Sequence, residues 1–389
     1  MKFDRRHYII FSIMITEVLG FSLVLPFLPL FAEELGANPI QIGLIIASFS
    51  LFQFFSAPVM GKLSDHLGRK PMLILSQLST FISFVILGFA NSLWMVILSR
   101  VIDGLLGSNN AIAQAYLSDI SSKKDRSKAF GLAGMAFGIG FMVGPATGGF
   151  LSRFSYSVPA FLAAAVSFMT ILTTIFLLPE TVTKKKDVKL NIKILKLGDF
   201  SKYFRRKKTA PLLFTFAAYV MSLFILTTNL ALFCERRLQF GASEVGFLLA
   251  LIGMINLLFR SPLLEKLIHL IGEHRLTFSG IVFMSIGLFF ASIAPENILF
   301  YASFTLFAFG SALSRPLILG EISRRVSKDE QGAISGVTGS LGSLARIIGP
   351  VLGGLILNHF VPGILTLVSS ITMALGLIGF IVAGRKKRK

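Results

Sequence analysis

Cysteine is almost missing from this chain of 389 residues, Cys234 standing alone, so an intrachain disulfide, a paired thiolate metal site and a CxxC redox couple are all excluded. The five histidines, His7, His66, His269, His274 and His359, fall at connections or span ends and make no HExxH spacing; no metal and no cofactor are expected. There is no GxxxxGKS/T phosphate loop, which removes the cradle that ATP-driven machines carry. No nucleophile, base and orienting group gather in one motif, so enzymatic chemistry is not expected. Charge is scarce too, at 15% of residues against about a quarter in a soluble domain. A water-facing surface cannot be covered with so little.

What the chain has instead is apolar sequence, 54% of residues, with a mean hydropathy of +0.76. Runs of about twenty apolar residues recur from end to end, the length that crosses a bilayer as a helix. Alternating strand-like segments are absent, so helices must satisfy the backbone within lipid. Twelve spans are expected: 8–31, 39–60, 72–92, 94–118, 127–150, 157–178, 210–233, 243–264, 276–295, 298–322, 332–357 and 362–384. The net charge of +19 would suggest nucleic acid in a soluble protein. Here most Lys and Arg fall in the tails and even-numbered loops, with Arg153, Arg236 and Arg237 on the other side. By the positive-inside rule both termini are cytoplasmic, and nucleic acid is not a partner. The Lys-rich stretch 181–209 reads as a cytosolic linker beside anionic lipid headgroups, with an amphipathic helix expected over Val188–Phe204. It divides a six-helix unit, 1–180, from a second, 210–389.

The two units echo one another. GPATGG begins at Gly144 and GPVLGG at Gly349, 205 positions on, and Pro58 and Gly68 have counterparts in Pro262 and Gly272. Parallel six-span repeats suit a carrier that opens alternately to each side of a membrane. Within the fifth span, Gly131, Gly140, Gly144, Pro145, Gly148 and Gly149 describe a helix pressed close to a neighbour, with Gly349, Pro350, Gly353 and Gly354 as the second set. Pro145 is expected to bend its helix.

Charges inside spans are costly and mark functional sites. Glu17 lies far from either surface, and a carboxyl shielded from water more readily takes a proton; it is the leading candidate proton carrier. In the fourth span Arg100 and Asp103 are three apart and able to pair, and with Asn110 and Gln114 they trace one polar stripe, Asn109 beside it. That stripe is expected to face a central cavity, as are Arg315 and Arg346 of the tenth and eleventh spans. The loop GKLSDHLGRK, Gly61–Lys70, concentrates charge between two apolar runs. Asp65 is placed to accept hydrogen bonds from a helix N-terminus or a basic side chain, holding helix ends together in one conformation.

These motifs resemble the major facilitator superfamily. Gly61, Asp65, Gly68, Arg69 and Lys70 match its loop GxLxDRxGRK, His66 replacing the usual arginine; Arg100 and Gly104 match RxxxG; the fifth-span glycines match Gx8Gx3GPx2GG of proton-exchanging exporters; LPET at 178–181 resembles the end of the sixth helix. The branch most similar is the twelve-helix drug/proton antiporters, tetracycline exporters included, in which an acidic residue occupies the position of Glu17. AYLSDI at 115–120 resembles the end of their fourth helix, which implies a pairing of Asp119 with Arg69 or Arg126 at a cytoplasmic gate. In the second half the loop has decayed, Glu273 standing for the arginine, so an asymmetric latch is expected. The resemblance implies an all-α polytopic membrane protein of two pseudo-symmetric six-helix bundles, working as a monomer in the plasma membrane and exporting a small apolar or amphipathic compound in exchange for protons. An importer of a sugar, organic acid or other nutrient shares that fold and stands as the alternative.

Overall fold

The computed structural model describes residues 4–122, 125–182, 197–259, 262–294 and 297–385. The first half contributes α1 (Arg5–Val24), α2 (Leu28–Glu34), α3 (Pro39–Leu67), α4 (Arg69–Gly88), α5 (Leu93–Leu106), α6 (Asn109–Ile120), α7 (Arg126–Leu151) and α8 (Ser157–Leu177). A short α9 (Leu197–Arg205) leads to α10 (Ala210–Leu238), α11 (Ala242–Phe259), α12 (Pro262–Ile271), α13 (Glu273–Ile293), α14 (Asn297–Ser323), α15 (Gln331–His359) and α16 (Gly363–Arg385). No strand occurs among the described residues.

Among the described residues eleven segments are long and apolar enough to cross a membrane by length and composition, α1 and α2 counting as one. The remaining crossing, the fourth, is not the continuous helix that 94–118 predicts. It is split into α5 and α6 at Gly107–Ser108. In lipid, backbone groups freed by such a break must find partners within the protein. They do: Gln53 Nε2 of α3 donates to the Gly107 carbonyl at 2.9 Å, Ser56 Oγ donates to the Leu105 carbonyl, and the Ser108 N–H donates to Ser76 Oγ of α4 at 2.7 Å.

The chain divides into two compact units. One comprises residues 1–38, 48–194 and 240–254, the other 39–47, 195–239 and 255–389. Each partnership in the first has its equivalent in the second. α1 packs on α7 and α8, and α4 on α5 and α8; correspondingly α10 packs on α15 and α16, and α13 on α14 and α16.

Small residues set these crossings. A Cβ added at Gly140 would meet Val18, and one at Gly148 would strike the Leu23 backbone of α1; one at Gly349 would meet the Phe224 backbone of α10. Polar side chains bridge the same crossings, Ser22 Oγ donating to the Gly140 carbonyl at 2.8 Å and Asn229 Nδ2 to the Pro350 carbonyl at 3.4 Å. Gly149 faces Ala242 and Gly246 of α11 within the first unit, while Gly354 faces Pro39 of α3 within the second. α7 runs unbroken through Pro145, and α15 through Pro350.

Of the expected linker helix, 188–196 lie outside the described residues, and α9 is its remainder. It is tied to the 3-10 turn Lys328–Glu330 that precedes α15. Arg206 forks onto Glu330 with two bonds of 2.8 Å, Lys202 adds a third contact at 2.9 Å, and Tyr203 is wholly buried beneath them. The hydrogen bonds from Arg206 and then Lys202 draw the Glu330 carboxyl down to about 2.

Candidate functional site

The site begins with a row of hydroxyls on α4. Ser76, Thr80 and Ser83, spaced four and three apart, share one buried face. Thr80 Oγ1 donates to Asp103 Oδ1 at 2.8 Å and accepts from Asn109 Nδ2 at 3.0 Å. The same Asn109 amide donates to Glu17 Oε2 of α1 at 2.6 Å. A continuous polar path thus runs Glu17, Asn109, Thr80, Asp103. Gln77 neighbours the Glu17 carboxylate, and its buried amide makes no hydrogen bond of good geometry. Glu17 Oε1 and Asn109 Oδ1 are buried acceptors without a donor among the described residues.

Two expectations for the fourth span are corrected. Arg100 closes no ion pair on Asp103; its Nη2 donates to Ser83 Oγ at 3.1 Å, its Nε to Ser99 Oγ at 3.3 Å, and its plane lies over the Phe84 ring. Nor do Asn110 and Gln114 continue the stripe of Arg100 and Asp103. The break at Gly107 resets the helical phase, so Asn109 turns to the buried path while Asn110 and Gln114 are exposed and bond to each other at 3.1 Å. The row on α4, legible as i, i+4, i+7 in SQLSTFIS, escaped the sequence reading.

At the other end of α4 lies the charged loop. Gly68 takes φ 107°, open to glycine alone without strain, and starts α4. Arg69, buried, pairs with Asp65 at 2.5 Å and with Asp119 at 2.8 Å, and donates to Ser64 Oγ at 2.6 Å. Gly61 adds its carbonyl to the same guanidinium at 3.5 Å. Of the two partners considered for Asp119, Arg69 makes the contact; the Arg126 side chain lies outside the described residues. The clasp forms without His66. Asp65 does not cap a neighbouring helix: that role belongs to Glu180 of the LPET stretch, which accepts from the first two N–H groups of α4, Arg69 at 2.9 Å and Lys70 at 3.0 Å. Lys70 Nζ reaches the Ile175 carbonyl at 2.6 Å.

Burial works against ionisation of Glu180, but N–H donors from Val182, Arg69, Lys70 and Thr181 outweigh it and hold the carboxyl below its ordinary value. A carboxyl held down in the folded state contributes stability above its unfolded pKa, and that contribution is lost as pH falls through the folded one. Glu180→Ala should therefore cost about 1 kcal/mol at pH 7, as lost caps do. The gap in Tm between variant and parent should close below about pH 4, read by melting in detergent. A gap constant through that range would contradict the capping role.

The second half rebuilds the clasp with the opposite sign. Gly272, at φ 85°, starts α13 as Gly68 starts α4. The next residue is Glu273, where the first half has Arg69, and it pairs with Arg324 at 2.5 Å. Beside it the buried Glu321 takes His274 at 3.4 Å and Arg325 at 3.6 Å.

Also within the second unit is a cavity of about 640 Å³ bordered by α10, α14 and α15. Arg315 and Arg346 both open into it, with the Arg346 guanidinium 5.4 Å from the centroid of Phe224. The open glycines of α15 widen it: a Cβ at Gly339 or Gly342 would meet nothing within 4 Å.

The whole chain is similar to known carriers. The model of the Major Facilitator Superfamily matches residues 10–350 and 261–389. The tetracycline resistance protein, class B, of Escherichia coli is 31% identical over 90% of this chain and 88% of its own length. Multidrug resistance protein 2 of Bacillus subtilis (strain 168) is 27% identical over 90% of this chain and 89% of its own. Among solved structures, the human organic anion transporter MFSD10 (TETRAN) superposes with a TM-score of 0.71 at 23% identity, covering 97% of this chain and 99% of that one. Together with the paired helix contacts, this shows that the chain is a multi-pass membrane transporter and belongs to the Major Facilitator Superfamily.

Proposed function

We propose that the protein is a proton-driven exporter, carrying a small apolar or amphipathic organic compound outward by alternating access while protons move inward. The observation that carries this reading is the polar path from Glu17 to Asp103, two carboxylates joined through Asn109 and Thr80 inside the first unit. A proton arriving at Glu17 turns an acceptor into a donor, and Asn109 Oδ1 is a buried acceptor with nothing yet donating to it. Protonation then rewires the path rather than merely cancelling a charge. Glu17 and Asp103 are the coupling groups in this reading, with Arg100 setting the field around them; Arg315 and Arg346 belong to the substrate cavity. The tetracycline and multidrug resistance relatives support efflux of drug-like molecules.

The clasps around Arg69 and around Glu273 serve as gates on the cytoplasmic face of the plasma membrane, where the Lys- and Arg-rich loops also lie, both termini with them. The chain works as a monomer, since each coupling group is supplied by one copy. The test is a proteoliposome assay with a pH dye inside and tetracycline as probe. An imposed pH gradient should drive the probe against its concentration, and adding the probe without a gradient should move protons the opposite way. Probe and protons travelling in the same direction would replace export by import.

A further inference from the structure

We propose that the cavity of the second unit selects organic monoanions, an oxyanion group seated between Arg315 and Arg346 and an aromatic body lying on Phe216, Tyr219 and Phe224. The proposal rests on the export reading for the cavity's role, while its binding chemistry stands on the charges alone.

Three observations combine. First, the cavity's volume of about 640 Å³ is in the range of sites that enclose a small organic molecule, roughly 300–1,000 Å³. Second, its two charged lining groups are both cations: no Asp or Glu lines it, and neither arginine forms an ion pair among the described residues. Both arginines are exposed side chains, one from α14 and one from α15, and each attracts a negative guest and repels a positive one. The pocket therefore favours a guest that brings negative charge, and it penalises a cation twice. Third, the Arg346 guanidinium is placed over the face of Phe224. An arginine held by its charge near a ring still has N–H groups with which to grip an oxyanion by two bonds. Thr338 supplies a hydroxyl on the same wall, and the bare backbone at Gly339 and Gly342 leaves room for a ring.

The experiment uses purified protein in phosphatidylcholine vesicles and two permanently charged probes of one shape, 2-naphthalenesulfonate and 2-naphthyltrimethylammonium. Equilibrium binding is measured on the unmodified protein, so the charge preference is readable whether or not any variant folds. The sulfonate should bind at least about tenfold tighter than the ammonium, the effect of one charge-assisted contact. Arg315→Gln and Arg346→Gln should each erase about tenfold of that preference, Arg346→Lys should restore part of it, and Gly342→Leu should weaken both probes together by filling the space. Equal binding of the two probes, or a preference unchanged in both glutamine variants, overturns the proposal. Adding phosphatidylglycerol gives a further arm. Loss of sulfonate binding to this lipid, with no sulfonate translocated in its absence, would assign the arginines to a lipid headgroup and overturn a substrate role. Sulfonate that binds and crosses without response to a pH gradient leaves the anion pocket standing and removes proton-driven export instead.

Discussion

Glu17→Gln should reduce pH-driven exchange to the level of protein-free vesicles while leaving the melting profile in detergent close to that of the parent. The side chain keeps its shape and its Oε1, so Asn109 Nδ2, now 2.6 Å from Glu17 Oε2, can still donate to it. What is lost is the ability to gain and release a proton. Asn109→Ala is the graded companion. It leaves the carboxyl in place, disconnects it from Thr80, and should slow coupled transport about tenfold or more, the effect of one hydrogen bond to a charged group. Proton-coupled transport persisting in Glu17→Gln would remove Glu17 from the mechanism, and Asp103, fixed by Thr80 at 2.8 Å, would become the group to test.

The second large effect concerns packing, and it should change sign along a single helix. Gly353 and Gly342 both lie on α15. A methyl group at Gly353 would drive into the buried amide of Asn229, which is held by the Ile225 and Pro350 carbonyls. Neither backbone nor amide has room to yield, so Gly353→Ala should destabilise by about 1–3 kcal/mol, the usual cost of overpacking. Gly148→Ala should do the same in α7, where the Leu23 backbone is the obstacle. At Gly342 a methyl group enters open space, and exchanging glycine for alanine in a helix gains about 1 kcal/mol. Thermal unfolding of the three variants in one detergent gives the comparison. If Gly148→Ala and Gly353→Ala were neutral, the close crossings of α1 with α7 and of α10 with α15 would not hold in solution.

Hydropathy made the spans readable, because a bilayer demands the same run length of every crossing, and the repeated GP–GG motifs made the duplication readable. The acidic residue in the first span was legible for a related reason: one carboxyl in an apolar run has few explanations. What could not be read was phase. Gly107 is one glycine among 35, and only the partners supplied by Gln53, Ser56 and Ser76 make a break there affordable in lipid. Once the helix breaks, the choice between Asn109 and Asn110 is decided by geometry that spacing alone does not carry. Glu180 was hidden differently. Its motif was noted, but its work is done on α4, more than a hundred positions earlier in the chain, and local pattern is blind to such a contact.

The paired clasps show that the duplicated halves, though alike in backbone, are no longer interchangeable parts. At the residue following the positive-φ glycine one half carries Arg69 and the other Glu273. Arg69→Glu alone would bring a carboxylate up to Asp119 and leave Asp65 facing a like charge. Each copy keeps its own complement, Asp65 and Asp119 for Arg69 and Arg324 for Glu273, so neither residue can be exchanged without its partners.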